Sequence, residues 1–276
     1  MALCRLQLVP AAAGVYFTGK KGIIMENIKL LNTYFSPTGG TAKTADAVAA
    51  GARCQVSVYD LCGRGAEAPD DYDALLAAVP VYGGRVPAAA LERLSKLQGK
   101  GRPAAALAVY GNRDYEDALA ELEDTLVKAG FRVVAAAAFI AEHSIVRSIA
   151  AGRPDAEDLK KAGLWGAELA EKFTSGQPLP EAEIPGNRPY KTFSPLPVHS
   201  QAGESCIKCG LCAAKCPVGA IDPQAPDQTD ASRCIVCMRC IEICPVHART
   251  LPETFMAGVT YYLNKTASGR KEPETF

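Results

Sequence analysis

The sequence predicts an α/β fold, in which a doubly wound five-stranded parallel sheet of order 2-1-3-4-5 precedes a small α+β domain. Apolar segments alternate with helical segments over residues 28–173, which is typical of a parallel sheet covered by helices on both faces. A proline-rich segment then ends the alternation, and eight of the eleven cysteines follow it. Five strands in one such alternation favour the order 2-1-3-4-5.

Near-continuous apolar segments predict the strands, because strands of a covered parallel sheet are buried on both faces. The predicted strands are 28–35, 56–59, 74–82, 104–110 and 131–141. The helical segments between them are 42–50, 88–97, 115–129 and 155–173. Gly130 ends the third helix, and Pro154 with Asp155 marks the start of the fourth.

Length and composition divide the chain into two folded parts. Its 276 residues, 48% of them hydrophobic, suffice for about two domains. We expect an N-terminal extension at 1–24, the sheet domain at 25–175, a proline-rich linker at 176–200, the cysteine-rich domain at 201–250 and a C-terminal tail at 251–276. A secretory signal is the alternative for residues 1–24, but Gln7 and Pro10 interrupt its apolar stretch, so a true start at Met25 is preferred.

The charge balance favours no polyanionic partner. Lys plus Arg and Asp plus Glu number 30 each, so neither nucleic acid nor an anionic membrane is indicated. The sequence has no run of 18 apolar residues that could span a membrane. The many cysteines indicate a reducing, cytoplasmic setting, because an oxidising compartment would pair them. We assign Cys4, Cys54 and Cys62 no role beyond structural or surface thiols.

Eight cysteines form two copies of the pattern C-x-x-C-x-x-C-x-x-x-C-P. The first copy holds Cys206, Cys209, Cys212 and Cys216, and the second holds Cys234, Cys237, Cys240 and Cys244. A cubane iron–sulfur cluster needs four thiolates, and two-residue spacings let three of them converge from a short loop. Zinc and disulfides are the alternatives. Neither zinc binding nor disulfide formation explains why both motifs contain a third and a fourth Cys followed by Pro.

The cysteine-rich segment resembles the bacterial two-cluster ferredoxins. The resemblance covers both motifs and the repeat of Pro217-Val-Gly-Ala as Pro245-Val-His-Ala. In such ferredoxins the fourth Cys of each run ligates the other cluster. The implied ligand sets are Cys206, Cys209, Cys212 and Cys244 for one [4Fe-4S] cluster, and Cys234, Cys237, Cys240 and Cys216 for the second.

The loop after the first predicted strand is suited to binding phosphate. It runs from Ser36 through Thr38, Gly39 and Gly40 to Thr41. Ligands of doubly wound sheets bind at this switch point, where hydroxyls and the free N–H groups of a new helix can donate to phosphate. No G-x-x-x-x-G-K-[ST] motif is present, which argues against a nucleotide triphosphatase. A plain capped helix start is the alternative.

This loop resembles the [ST]-x-T-G-x-T phosphate loop of the flavodoxins, which implies bound FMN. The resemblance places the isoalloxazine ring between the loops after the third and fourth strands. The implied contacts are Tyr82, Gly83, Gly84, Gly111, Asn112 and Tyr115. We expect Tyr115 first, and Tyr82 second, to stack on the ring. Ordinary packing between sheet and helices is the alternative for both tyrosines.

Three further side chains near the same edge are weaker candidates. His143 follows the fifth predicted strand and could contact flavin or substrate, although a structural hydrogen-bonded role is more common for such a histidine. Arg85 and Arg113 could balance negative charge on the flavin or be solvated. We assign no catalytic residue.

From about residue 26 the chain resembles the fused flavodoxin–ferredoxin proteins of anaerobic bacteria and archaea. The resemblance implies electron transfer between two [4Fe-4S] clusters and FMN, and on to a partner redox enzyme that serves as a ferredoxin-dependent donor or acceptor. One alternative is an FMN-dependent reductase of a small quinone-like acceptor, fed by the clusters. Another is a ferredoxin with a flavin-free docking domain. No G-x-G-x-x-G follows a strand, which argues against an integral NAD(P)H site.

Overall fold

The computed structural model describes residues 28–65, 67–180 and 183–276. The extension predicted at 1–24, with Cys4, and the start predicted at Met25 lie outside these ranges. The elements are β1 (Lys29–Tyr34), α1 (Gly40–Ala52), β2 (Gln55–Asp60), β3 (Ala74–Pro80), α2 (Ala88–Leu94), β4 (Pro103–Tyr110), α3 (Ala118–Lys128), β5 (Arg132–Ile140), α4 (Ala156–Ser175), β6 (Gln201–Ala202), α5 (Leu211–Lys215), α6 (Arg239–Glu242), β7 (Arg249–Thr250), α7 (Glu253–Thr266) and β8 (Glu274–Thr275). Within those ranges no helix combines the length and apolar character that a membrane span requires.

The main sheet confirms the predicted order. In the described part of the chain its strands lie in the order β2-β1-β3-β4-β5-β8, and β1 to β5 are all parallel. The interiors of β3, β4 and β5 consist of buried Ala, Leu, Val and Phe side chains. β3, β4 and β5 are therefore buried on both faces, as predicted, whereas β2 at the edge of the sheet is largely exposed.

Within the described residues, the five predicted parallel strands are joined by a sixth, antiparallel strand that the sequence did not predict. β8 pairs antiparallel with β5 through Ala137 and Ala138, and the backbones of Ala136 and Phe276 exchange hydrogen bonds of 2.8 and 3.2 Å. A two-residue strand held by backbone groups leaves no alternation of side chains to detect. The segment after residue 251 therefore returns to the sheet domain.

Two helical layers cover the sheet. Helices α1 and α4 pack on one face around Val48 and Trp165, and α2 and α3 pack on the other around Leu94 and Leu122. Glycines allow α1 and α4 to approach closely. A Cβ atom on Gly166 would lie 2.0 Å from the Val48 carbonyl oxygen.

The proline-rich segment lies along α3. The carboxylate of Asp117, just before α3, accepts hydrogen bonds from the backbone N–H groups of Asn187 and Lys191, each at 2.7 Å. Arg188 forms ion pairs with Glu123 and Asp124 of the same helix. These contacts place the start of the cysteine-rich domain beside the carboxyl ends of the parallel strands.

The cysteine-rich domain packs against that edge of the sheet. It contains α5, α6 and the antiparallel pair β6 and β7. Arg93 donates to the Pro217 carbonyl oxygen at 2.5 Å, and Arg239 donates to the Ser36 carbonyl oxygen at 3.4 Å. The second of these contacts joins the second cysteine motif to the predicted phosphate loop.

Candidate functional site

The two cysteine motifs fold as two copies of one backbone. Three equivalent pairs of residues adopt positive φ angles, namely Lys208 and Val236, Gly210 and Met238, and Gly219 and His247. Gly210 and Met238 directly precede the short helices α5 and α6. A left-handed residue therefore stands between the second and third Cys of each motif.

Each predicted set of four cysteines lines one cavity. Cys206, Cys209, Cys212 and Cys244 lie around the first cavity. Cys216, Cys234, Cys237 and Cys240 lie around the second. The fourth Cys of each motif therefore sits with the other motif, as crossed ligation requires. Four thiols around one cavity fit a cubane cluster.

The cysteines do not converge as ligands of a single ion would. Across 28–65, 67–180 and 183–276, no group of three or more His, Cys, Asp or Glu side chains is placed to hold one metal ion. The four cysteines of each set instead line the walls of one cavity.

Backbone amides support the fourth Cys of each motif. The Ala220 N–H donates to Cys216 Sγ at 3.2 Å, and the Ala248 N–H donates to Cys244 Sγ at 3.3 Å. Burial opposes ionisation of Cys244, but the amide hydrogen bonds outweigh it and lower the pKa of Cys244 below its ordinary value. Such N–H donors also tune the potential of a bound cluster.

The predicted phosphate loop forms an open cradle at the start of α1. Gly39 adopts φ +92°, and an added Cβ there would meet no described atom within 4 Å. Ser36 Oγ accepts a hydrogen bond of 2.9 Å from the Ala42 N–H. The open side, the capping hydroxyl and the start of a 13-residue helix fit a phosphate group.

The basic side chains of Lys43, Arg147 and Arg153 line the same cavity as the predicted phosphate loop. The sequence analysis did not identify them. The cavity above Thr38, Gly39 and Gly40 is also lined by Lys43, Glu142, Ser144, Arg147, Gly152, Arg153 and Pro154. Arg147 forms ion pairs with Glu142 and with Glu242 of α6. The loop after β5 lies near the first loop of the sheet because α4 packs on α1. No local sequence pattern predicts this tertiary contact.

The two predicted ring loops contact one another directly. The Asp117 N–H donates to the Gly84 carbonyl oxygen at 3.1 Å, and a Cβ on Gly84 would lie 1.9 Å from Glu116 Oε2. Phe193 of the proline-rich segment lies 3.6 Å from the Cβ position of Gly83. The backbone at Gly84 therefore packs directly against the residues that precede α3.

The C-terminal segment holds the loop after β4. Asn112 is buried, and its side-chain amide donates to the carbonyl oxygens of Ala267 and Gly269 at 2.6 and 2.7 Å. Tyr115 donates to Glu274 at 2.9 Å, and its ring packs edge-on against Tyr110. Two of the predicted ring contacts, Asn112 and Tyr115, are therefore hydrogen-bonded to the C-terminal segment.

Tyr82 lies instead beside the second cysteine motif. Its side chain is half-buried. Burial, with the neighbouring Cys237 and Cys62 thiols, holds the pKa of Tyr82 well above its ordinary value. Of the two predicted stacking residues, Tyr82 is the one that faces the interface with the cysteine-rich domain.

The weaker candidates have structural partners. Arg85 forms a bidentate ion pair with the buried Glu121, at 2.9 and 2.5 Å, and Arg113 pairs with Glu116 at 2.5 Å. His143 Nδ1 accepts hydrogen bonds from the N–H groups of Ile145 and Val146 at 3.2 and 3.1 Å. Burial, and then the charge of Arg113, lowers the pKa of His143 to about 4.

His143 should make folding stability depend on pH. Its folded pKa lies below the ordinary value, so acid protonates the unfolded chain first, and stability falls as the pH drops from about 7 toward 4. At roughly 1.4 kcal/mol per unit, the loss should be on the order of 3 kcal/mol. Urea titrations across this range should show a shallower slope in His143→Asn, whose Oδ1 can accept the same amides. An unchanged slope would exclude His143 as the cause.

Residues 205–248 match the family model of the 4Fe-4S dicluster domain. Among solved structures, a flavodoxin from the domain Archaea is 17% identical, with coverage of 53% of this chain and 99% of that chain and a TM-score of 0.41. A Streptococcus pneumonia TIGR4 flavodoxin is 21% identical, with coverage of 52% of this chain and 99% of that chain and a TM-score of 0.42. A WrbA-like flavodoxin from Agrobacterium tumefaciens is 19% identical, with coverage of 55% of this chain and 100% of that chain and a TM-score of 0.40. The strand order itself, 2-1-3-4-5 in the parallel part, defines the fold of the sheet domain as flavodoxin-like.

Proposed function

We propose that this chain, which joins a flavodoxin-like sheet domain to a 4Fe-4S dicluster segment, carries electrons between two [4Fe-4S] clusters, FMN and a partner redox enzyme in the cytoplasm. Clusters exchange single electrons, and flavin links one-electron to two-electron chemistry. Cys206, Cys209, Cys212 and Cys244 hold one cluster, and Cys216, Cys234, Cys237 and Cys240 hold the other.

The observation that carries the proposal is the junction between the second cysteine motif and the phosphate loop. Arg239, which lines the cavity of the Cys216 set, reaches the Ser36 carbonyl oxygen. Ile235 of the same motif packs against the hydrophobic core of the sheet domain. One cluster cavity therefore adjoins the switch point at which a doubly wound sheet binds its ligand.

The chain's own residues divide the task of holding FMN. The hydroxyls of Ser36, Thr38 and Thr41 and the amides of Gly39 and Gly40 bind its phosphate. For the ring, the proposed contacts remain Tyr82, Gly83, Gly84, Gly111, Asn112 and Tyr115. Tyr82 is now the preferred stacking residue, because Tyr115 is held by Tyr110 and Glu274.

The other cluster site offers a surface for the partner enzyme. Three apolar side chains that line the cavity of the Cys206 set are exposed, namely Ile207 at 62%, Leu211 at 37% and Val246 at 38%. Exposed apolar side chains around a redox centre suit transient docking. The proposed route thus runs from the partner through the Cys206 cluster and the Cys216 cluster to FMN, in either direction.

The phosphate loop should control flavin content alone. In chain purified anaerobically and supplied with iron, sulfide and FMN, Thr38→Ala with Thr41→Ala removes two phosphate donors, so we expect FMN affinity to fall at least tenfold. Iron and sulfide should stay near eight per chain. Thr44→Ala is the matched control, because its hydroxyl bonds the Gly40 carbonyl oxygen at 3.1 Å within the same helix.

Two results would contradict this assignment. Equal loss of iron and flavin in the double variant would show that the sites are not independent. Full iron without flavin in the unaltered chain, even after added FMN, would identify the sheet domain as a flavin-free docking domain.

A reductase of a small quinone-like acceptor is the second candidate function. A cavity bordered by Ile145 and Met256 shares Met238, Ile241 and Leu251 with the cavity of the Cys216 cluster. An apolar acceptor there would lie beside a redox centre. Saturable reduction of a quinone by the reduced chain, without any partner protein, would favour this function over that of a carrier.

A further inference from the structure

Arg249 is a buried cation that has no carboxylate partner in residues 28–65, 67–180 and 183–276. It lies on β7, five residues after the last Cys, and is only 2% exposed. Among the described residues it takes part in no ion pair. The charge of Arg249 contributes to the lowered pKa of Asp227, but Asp227 forms its ion pair with Lys208, at 2.9 Å.

Within the described part of the chain, the guanidinium of Arg249 donates only to neutral oxygens. Nη1 donates to Ser200 Oγ at 3.1 Å and to Thr229 Oγ1 at 2.9 Å, and Nη2 donates to the Pro226 carbonyl oxygen. Nε is buried, and none of the described residues gives it a hydrogen-bond partner. A buried charge is costly unless an opposite charge compensates it.

Two of these neutral partners contact cysteines of different sets. Ser200 Oγ lies 3.1 Å from Cys240 Sγ, and the Pro226 carbonyl oxygen lies 3.5 Å from Cys212 Sγ. Cys240 belongs to one predicted ligand set and Cys212 to the other. Arg249 also lines the cavity of the Cys206 set directly, and Ser200 lines that of the Cys216 set. The guanidinium therefore stands between the two cluster sites.

We propose that Arg249 is the counter-charge shared by both clusters and that it raises both of their reduction potentials. Reduction of a [4Fe-4S] cluster adds one electron and forms or breaks no covalent bond, so the site becomes more negative by one charge. A fixed cation in a poorly solvated interior stabilises that added charge. The inference rests on the two clusters and not on the flavin.

Replacing Arg249 should lower both potentials together. Arg249→Gln keeps hydrogen-bonding capacity but removes the charge, so at fixed applied potential the reduced-to-oxidised ratio of each cluster should fall at least tenfold. For a one-electron couple this corresponds to about 59 mV. Dithionite titrations followed by electron paramagnetic resonance, in samples matched for iron content, measure this shift.

Two companion variants separate charge from structure. Arg249→Lys keeps the charge and should retain most of both potentials. Arg233→Gln removes a solvent-exposed cation of the same domain that donates to the Val218 carbonyl oxygen at 2.8 Å, and should shift neither. Unchanged potentials in a fully loaded Arg249→Gln variant would overturn the proposal. If that variant fails to assemble, a tenfold shift in Arg249→Lys, despite its charge, would overturn it equally.

Discussion

A chain carrying Cys216→Ala will lose the cluster shared with Cys234, Cys237 and Cys240 and keep the one held by Cys206. The first three thiols of each motif come from one loop, but Cys216 lines the cavity of the second motif. Removing it leaves three protein ligands for a cluster that needs four. We expect about half the iron to be lost, with the remaining resonance signal belonging to the Cys206 cluster.

Identifying the surviving cluster makes this test decisive. Cys206→Ala should remove the opposite half of the iron, and the two variants should show complementary resonance spectra. Cys54→Ala is the control, because its thiol lies at the end of α1 and bonds the Ala52 carbonyl oxygen at 3.4 Å. If Cys216→Ala and Cys206→Ala gave the same spectrum, crossed ligation would be wrong.

Gly166→Ala will destabilise the sheet domain by about 3 kcal/mol, a large effect for a single methyl group. The added Cβ would sit 2.0 Å from the Val48 carbonyl oxygen and 3.1 Å from the Ala52 nitrogen. Both are backbone atoms of α1, so relief requires the two helices to move apart. Burial of Trp165 and Val48 between the layers would be lost in part.

Gly163→Ala, one turn earlier in α4, is the matched comparison. Of the atoms that the structure describes, its Cβ would meet only the Ala47 carbonyl oxygen, at 3.8 Å. Alanine is favoured over glycine in a helix by about 1 kcal/mol, so this variant should be as stable as the parent or more so. Equal losses in both variants, measured by denaturant titration, would contradict close helix contact as the cause.

The sheet domain could be predicted because its strands and helices carry strong local patterns. The five parallel strands and their order follow from apolar runs such as Ala74–Pro80, separated by helices with clear start and end signals. β8 could not be predicted, because Glu274 and Thr275 form a two-residue strand, too short to show an alternation of side chains. A return of the chain from far along the sequence has no local signature.

The candidate site, too, has parts that local sequence patterns predict and parts that depend on tertiary contacts. The eight cysteines and the loop from Ser36 to Thr41 were visible because their chemistry lies in short spacings. The partners of Tyr115 and Asn112 come from the C-terminal segment, and no spacing points to them. Burial of Arg249 among neutral oxygens is likewise a tertiary property, since a charged residue in sequence is expected at the surface.

The most direct test of the central claim is whether electrons move between cluster and flavin within one chain. Anaerobic samples with both cofactors would be reduced by a light pulse, and the absorbance of each followed over a tenfold range of protein concentration. If the clusters and FMN exchange electrons within one chain, flavin reduction will be coupled to cluster reoxidation, with a rate constant independent of concentration. A rate that scales with concentration, or flavin and clusters that never equilibrate, would contradict it.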